Sequence, residues 1–198
     1  MITQGFADPA LDAQTIFRTV LDAMAHPGRI VTIGDVNAVM PVAPGLLDQA
    51  AYVVALTLLD FETSVWLDKR LATDRAAVDA LRFHCGCPLV ADPAHANFAL
   101  IGDASKAPPL SDFHQGTPEY PDRSTTIVMK VRDLDGSSGC RLTGPGIKSE
   151  ARLAIGGTPS DFWQQWSANQ QQYPLGIDLI LTAGDRIAAL PRTIAAEV

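Results

Sequence analysis

The side chains best suited to chemistry lie in a few short stretches. His84-Cys85-Gly86-Cys87 offers imidazole and thiolate, the donors zinc prefers, yet structural zinc takes pairs set two to four residues apart. Here a single residue separates the thiols, and Cys140, His26, His95 and His114 stand in no paired motif. No metal site is expected, and two small buried thiols after a helix end are the plainer reading. Ser111, Asp112 and His114 are the residue types of a hydrolytic triad, but neighbours in a Pro-rich loop cannot face one another as a relay, and no G-x-S-x-G elbow is present. Neither a G-x-x-x-x-G-K-[ST] loop nor a G-x-G-x-x-G turn occurs, so nucleotide sites of those types are not expected.

Arg141-Leu142-Thr143-Gly144-Pro145-Gly146-Ile147-Lys148 is the stretch most suited to an anion. A strand runs into glycines that let backbone approach a ligand, with cations at both ends. Pro145 removes one backbone donor, and Gly-Pro-Gly is also a common tight connection. Arg82 with His84, and Arg192 after Pro191, are further single cations at element ends. For each of them a solvated or structurally paired side chain is the competing reading.

The elements that must carry these residues are legible from periodicity. Asp8 followed by Pro9 marks a helix start, and Ile16, Phe17, Val20, Leu21 and Met24 recur at helical spacing until His26-Pro27-Gly28. Arg29 to Val36 reads as a short strand, and Leu46 to Leu59 as a helix apolar nearly all round. Ser64 to Leu67 is a second strand; Thr73 is expected to cap a helix running to Phe83; Leu89 to Ala91 and Phe98 to Ile101 are further strands. Asp103 to Ser124 is broken by five Pro and Gly residues into a long loop or outward lobe.

Thr125 to Val131 and Cys140 to Thr143 read as a hairpin turning at Asp135-Gly136. A helix bearing Trp163 and Trp166 follows, with a polar end from Asn169 to Gln172. Ile177 to Thr182 then pairs through Ala183-Gly184-Asp185 with Ile187 to Leu190. The fold class is α/β, a mixed sheet with flanking helices, in one domain spanning residues 1–198.

Composition removes several function classes. The chain holds 22 acidic against 15 basic residues, a net charge of -7, which argues against a surface built to neutralise polynucleotide phosphates. The basic residues are skewed to arginine, with only four lysines. At 47% hydrophobic and 19% charged, the 198 residues can bury a real core, so disorder is excluded. Three cysteines make poor disulfide material. The first residues lack a signal peptide's basic start and apolar core, and no apolar run approaches the roughly 20 residues of a membrane span. A cytoplasmic protein is expected.

Five segments resemble a known family. Phe17-Arg18 to Leu21 with Ala23-Met24 and Pro27-Gly28 is the first, and Arg82-Phe83-His84 with Pro88-Leu89-Val90 the second. Arg141 to Ile147, Pro174 to Leu181 and Leu190-Pro191-Arg192-Thr193 complete the set. In this order and separation they resemble the PhnH family, subunits of the bacterial carbon-phosphorus lyase system, over about Phe17 to Thr193. Cys85, Cys87 and the polar Asn169 to Gln172 run depart from that pattern.

The resemblance implies a homodimer whose fold is similar to that of pyridoxal phosphate-dependent transferases but which takes no such cofactor. None of the four lysines stands in a context recognisable for a Schiff base. It also implies work beside PhnG, PhnI and PhnJ-like partners. That complex joins an alkylphosphonate to the ribose of ATP with loss of adenine, giving a ribose 1-phosphonate 5-triphosphate, before a radical step in PhnJ breaks the carbon-phosphorus bond.

On this reading the chain is a required subunit, probed best at Arg82, His84, Arg141, Gly144, Gly146 and Arg192 as an anion-facing or partner-facing cluster. Trp163, Trp166 and the Asp103 to Ser124 stretch are candidates for partner contact. Two alternatives stay open. One is a stand-alone enzyme on a phosphoribosyl or phosphonate substrate with His84 as acid or base. The other is a dimeric scaffold that takes no ligand.

Overall fold

The computed structural model describes residues 3–35 and 40–197. Helix α1 (Pro9–Ala25) starts where the Asp8 carboxylate accepts the N–H groups of Ala10 and Leu11, both at 3.1 Å. It buries Ile16, Thr19, Val20 and Ala23. Strand β1 (Val31–Thr32) is shorter than the sequence suggests, because Ile33 turns to donate its N–H to the Asp185 carbonyl at 2.8 Å and opens a 3-10 turn. Val36, the expected strand end, lies outside the described residues.

Helix α2 (Gln49–Leu58) is buried continuously from Ala50 to Ala55, as an all-round apolar sequence demands. Strand β2 (Val65–Leu67) is followed by two helices rather than one, α3 (Lys69–Thr73) and α4 (Arg75–His84). Asp74, not Thr73, caps α4: its carboxylate accepts the Ala76 N–H at 3.1 Å, while the Thr73 hydroxyl turns back to the Lys69 and Arg70 carbonyls. A carboxylate is the stronger acceptor for exposed helix N–H groups, and the hydroxyl is already used.

Strands β3 (Leu89–Val90), β4 (Phe98–Ile101) and β5 (Thr126–Lys130) are parallel to β2. Then come β6 (Asp133–Thr143), β7 (Ala151–Gly156), helix α5 (Phe162–Gln170), β8 (Asp178–Ala183), β9 (Arg186–Leu190) and β10 (Ala195–Glu197). The main sheet has seven strands in the order β1-β9-β8-β5-β4-β2-β3, parallel from β8 to β3 and antiparallel at β9 and β1. A second, antiparallel sheet runs β10-β6-β7.

The alternation of side chains along the central strands makes two cores. Leu100, Val128 and Ile180 face α1, α2 and α4. Ala99, Ile101, Ile127, Met129 and Leu181 face α5, the small sheet and the stretch from Ala104 to Phe113.

Two expectations fail for physical reasons. β5 and the Cys140 segment do not form a hairpin, because β5, buried between β4 and β8, takes a parallel partner on each side. β6 instead runs through Asp135 with a register break before Cys140, built by the Asp135 carboxylate accepting the Ser137 N–H at 2.8 Å and the Ser137 and Ser138 hydroxyls at 2.7 Å. The stretch from Asp103 to Ser124 is no outward lobe either. It lies on the sheet, burying Leu110 and Phe113, the latter edge-on to Trp66 with centroids 5.5 Å apart.

Buried Asp48 pins α2 to the β8–β9 turn: it accepts the Ala51 N–H at 2.8 Å, the Thr182 hydroxyl at 3.0 Å and the Gly184 N–H at 3.2 Å. Burial pushes its carboxyl above the usual range despite these bonds. Asp48→Ala should lower stability by about 2–3 kcal/mol by stranding buried donors, read as a lower urea midpoint with an unchanged slope. The Asp135 carboxyl is held at about 2 by its bonds from Ser137 and Ser138. Its folded value lies below its unfolded one, so the bulge's stabilisation is present above about pH 4 and is lost as pH falls through about 2. Hydrogen-exchange protection of the Ser137 amide, which donates to that carboxylate, should therefore drop across that window.

Candidate functional site

Two motifs more than a hundred residues apart interlock on one side of the small sheet. His26-Pro27-Gly28-Arg29 ends α1, and Gly144-Pro145-Gly146-Ile147-Lys148 leaves β6. Gly28 has φ +84°, and a Cβ there would lie 3.0 Å from the Ala151 Cβ and 3.1 Å from the Leu142 Cδ1. Gly146, also at φ +84°, sits against the Ala25 carbonyl so closely that any Cβ would collide with backbone. The glycines thus let the end of α1 seat on β6 and β7, while Gly144 lies beside Thr193 and Ile194.

The seam opens as an exposed hollow of about 270 Å³ lined by His26, Arg29, Gly146, Lys148, Glu150 and Arg152, among others. Asp22 organises one wall: its carboxylate meets Arg29 Nη1 at 3.0 Å and His26 Nδ1 at 3.1 Å. Arg141, opposite Arg152 in the β6–β7 register, is clamped by Glu150 at 2.8 Å and Glu197 at 2.9 Å, and those carboxylates push its guanidinium still higher. Lys148 and Arg152 have no salt-bridge partner among the described residues. With Arg29 paired to Asp22 and Glu150 committed to Arg141, the hollow's positive charge comes from Lys148 and Arg152. Such an arrangement can hold an anionic group or an acidic surface.

Of the six residues singled out from the sequence, Gly146 lines this hollow, Arg141 reaches its rim through Glu150, and Gly144 lies in the same turn but against Thr193 and Ile194. The other three are elsewhere. Arg82 lies on α4 with Arg75 and Asp79 along a cleft of about 650 Å³ at the β2–β3 edge. His84 is half-buried, and its Nε2 donates to the Thr3 carbonyl at 2.7 Å, clasping the N-terminal segment against α4. Arg192 is a fastening: its guanidinium pairs with Asp178, donates to the Pro121 carbonyl at 2.7 Å and reaches the Pro174 carbonyl at 3.4 Å.

Arg29 and Arg152 were not among the sequence candidates. Arg29 directly follows the Pro-Gly pair that ends α1, which could have drawn attention to it. Arg152 carries no signal until β7 is known.

The remaining chemical groups are structural. Cys85 and Cys87 are buried at the end of α4; hydrogen bonding between them drives the Cys85 thiol up and the Cys87 thiol down. Cys140 is in β6. No cluster of three or more His, Cys, Asp or Glu occurs among the described residues. His114 Nδ1 donates to the Arg123 carbonyl at 2.9 Å, and Ser111 and Asp112 are exposed beside it, so the loop holds no relay. Trp166 is fully buried and donates to the Ile194 carbonyl at 3.0 Å, which makes it a core residue, whereas Trp163 packs edge-on against Phe162 and is only half-buried. No helix among the described residues is long and apolar enough to cross a membrane.

Comparison with known proteins covers nearly the whole chain. The family of bacterial phosphonate metabolism proteins designated PhnH matches residues 4–197. The alpha-D-ribose 1-methylphosphonate 5-triphosphate synthase subunit PhnH of Rhizobium meliloti (strain 1021) is 40% identical over 192 residues, 97% of this chain and 94% of the relative. The protein HtxG of Stutzerimonas stutzeri, whose name places it among C-P lyase subunits, is 34% identical over 186 residues, 91% of this chain and 83% of its own.

Arg192→Ala should cost about 3 kcal/mol, because it leaves the mostly buried Asp178 carboxylate and two loop carbonyls without their donor. Arg192→Lys should recover only part of this loss, lacking the fork that spans Asp178 and both loops. Chemical denaturation of the three proteins checks both statements.

Proposed function

The chain belongs to the PhnH family of bacterial phosphonate metabolism proteins, and from that we propose that it is a subunit of the C-P lyase system, in the complex that makes alpha-D-ribose 1-methylphosphonate 5-triphosphate. The observation that carries this is the span of the match: the Rhizobium meliloti subunit aligns over 97% of this chain and 94% of its own length, so both are the same unit throughout.

The finer parts belong to the same proposal. The partners are PhnG, PhnI and PhnJ-like chains, the isolated protein is a homodimer, and the complex works in the cytoplasm. The fold's likeness to pyridoxal phosphate-dependent transferases is part of this reading too. Surface composition supports the subunit role: Leu11, Phe17 and Leu21 on α1, with Phe61 and Phe83 near the α4 end, are large apolar side chains 44% or more exposed. Among the site residues, Arg29, Lys148 and Arg152 with the Arg141, Gly144 and Gly146 segment are the anion-facing or partner-facing surface. Arg82 supplies a second cationic edge. Catalysis is not assigned to His84, whose Nε2 is already bonded to the Thr3 carbonyl.

A tagged copy recovered from phosphate-starved native cells, with stoichiometry read by native mass spectrometry, should bring down PhnG-, PhnI- and PhnJ-like chains in fixed ratio. Recovery as a free homodimer alone would sink the subunit reading. Lys148→Ala combined with Arg152→Ala, both exposed and so tolerated by the fold, should slow growth on methylphosphonate at least several-fold. Growth at the unaltered rate by the folded variant would remove the seam from the functional surface.

A further inference from the structure

The chain reverses its direction across the main sheet between β2 and β4. From the carboxyl end of β2 it passes through α3 and α4, on the face that carries α1 and α2, to β3 on one side. From the carboxyl end of β4 it passes through the Asp103 to Ser124 stretch, on the opposite face, to β5 on the other side. Open α/β sheets bind ligands at such a point, because connections that part to opposite faces leave a crevice outside the strand ends.

Here the crevice is about 420 Å³, and its lining includes Arg70, Asp103, Ser105, Lys130 and Arg132. Its rim is fixed by buried Asp68, which accepts the Arg70 and Leu71 N–H groups at 2.8 Å and the Gly102 N–H at 2.6 Å, tying the end of β2 to the end of β4.

We propose that this crevice binds a phosphate-type dianion through Arg70, Lys130 and Arg132. Three cations against the two carboxylates of Asp103 and Asp133 leave a local charge of about +1 in a chain whose net charge is -7. Each cation is oriented by one bond: Arg70 to Asp103 at 3.4 Å, Arg132 to Asp133 at 3.0 Å, and Lys130 to the Leu46 carbonyl at 2.9 Å. Each therefore keeps further N–H donors for a ligand.

Asp103 stays ionised, its carboxyl held low mainly by the Ser105 bonds, so it orients Arg70 and its charge counts against the cations of the crevice. Donors from α3 and from the end of β5, where Lys130 and Arg132 stand two residues apart, suit an oxyanion with three outward oxygens and two charges, whereas a carboxylate is satisfied by one arginine fork. The inference rests on the sheet topology and these side chains, and on neither the subunit reading nor the seam between α1 and the small sheet.

Titration calorimetry of the full-length protein with inorganic phosphate at low ionic strength tests it. Saturable binding is expected, weakened about tenfold by Arg70→Gln and about tenfold by Arg132→Gln. Arg123→Gln removes the same charge from an exposed arginine stacked on Tyr120 and should leave the affinity unchanged. Binding should also shift the Ser105 and Gly157 amide resonances, a readout that does not depend on any variant.

Melting temperatures confirm that each variant is folded, and Lys130 is left in place because it also neutralises charge near Asp48. No saturable heat up to about 20 mM phosphate overturns the proposal. So does equal weakening by Arg123→Gln, which would mark general charge attraction. Loss confined to Arg29→Gln and Arg152→Gln would overturn it as well, moving the anion to the seam while leaving the subunit reading untouched.

Discussion

One ion pair fastens the part of the molecule that regular structure does not. Arg192 and Asp178 are only 13% and 16% exposed, and the guanidinium reaches past the carboxylate to the backbone of Pro121 and Pro174. Asp178 opens β8, beside β5, while Pro121 ends the long stretch that covers one face of the sheet and Pro174 ends the turn after α5. A planar fork with five donors can satisfy a carboxylate and two carbonyls at once, which an ammonium cannot. That stretch contains no long helix or strand of its own, so it is held by such side-chain bonds: Arg192 at Pro121, and Gln165 and Gln115 on the backbone of Leu110 and Phe113.

Buried aspartates do the corresponding work at the other junctions. Asp48 joins α2 to the β8–β9 turn, and Asp68 joins α3 to the end of β4. Each caps a helix with one oxygen and holds a distant backbone N–H with the other. A cap residue is therefore a tertiary contact here, so helix placement and strand-end geometry are set together. The cationic crevice at the strand ends sits next to Asp68, whereas the α1 seam is set by the close contacts of Gly28 and Gly146.

The charge distribution separates structural from available cations. Arg141 and Arg192, the two arginines that stood out most by motif, are both neutralised by carboxylates. Arg152, which carries no motif of its own, and Lys148, at the end of the Arg141 segment, are left facing solvent beside Arg141. At the glycine turn after β6 the motif arginine is thus spent on the fold, and the unpaired charge comes from its neighbours. The same holds for His84, whose ring anchors the N-terminal segment and stands apart from every cationic hollow.

Local periodicity and caps determined much of the fold from the sequence alone. α1 with its Asp8 cap, the all-round apolar α2 and the β8–β9 hairpin follow from residues within a few positions of one another, where helix and strand periods and turn chemistry suffice. Family membership was also legible, since it rests on the order of short segments. What only the tertiary structure decided involves partners far apart in sequence: that β6 leaves β5 to pair with β7 and β10, that the Pro-rich stretch lies inward over Trp66, and that Arg29 and Arg152 share one hollow. Sheet register and the neutralisation of a given arginine are set by which distant backbone or carboxylate arrives opposite it, and a linear pattern carries no term for that.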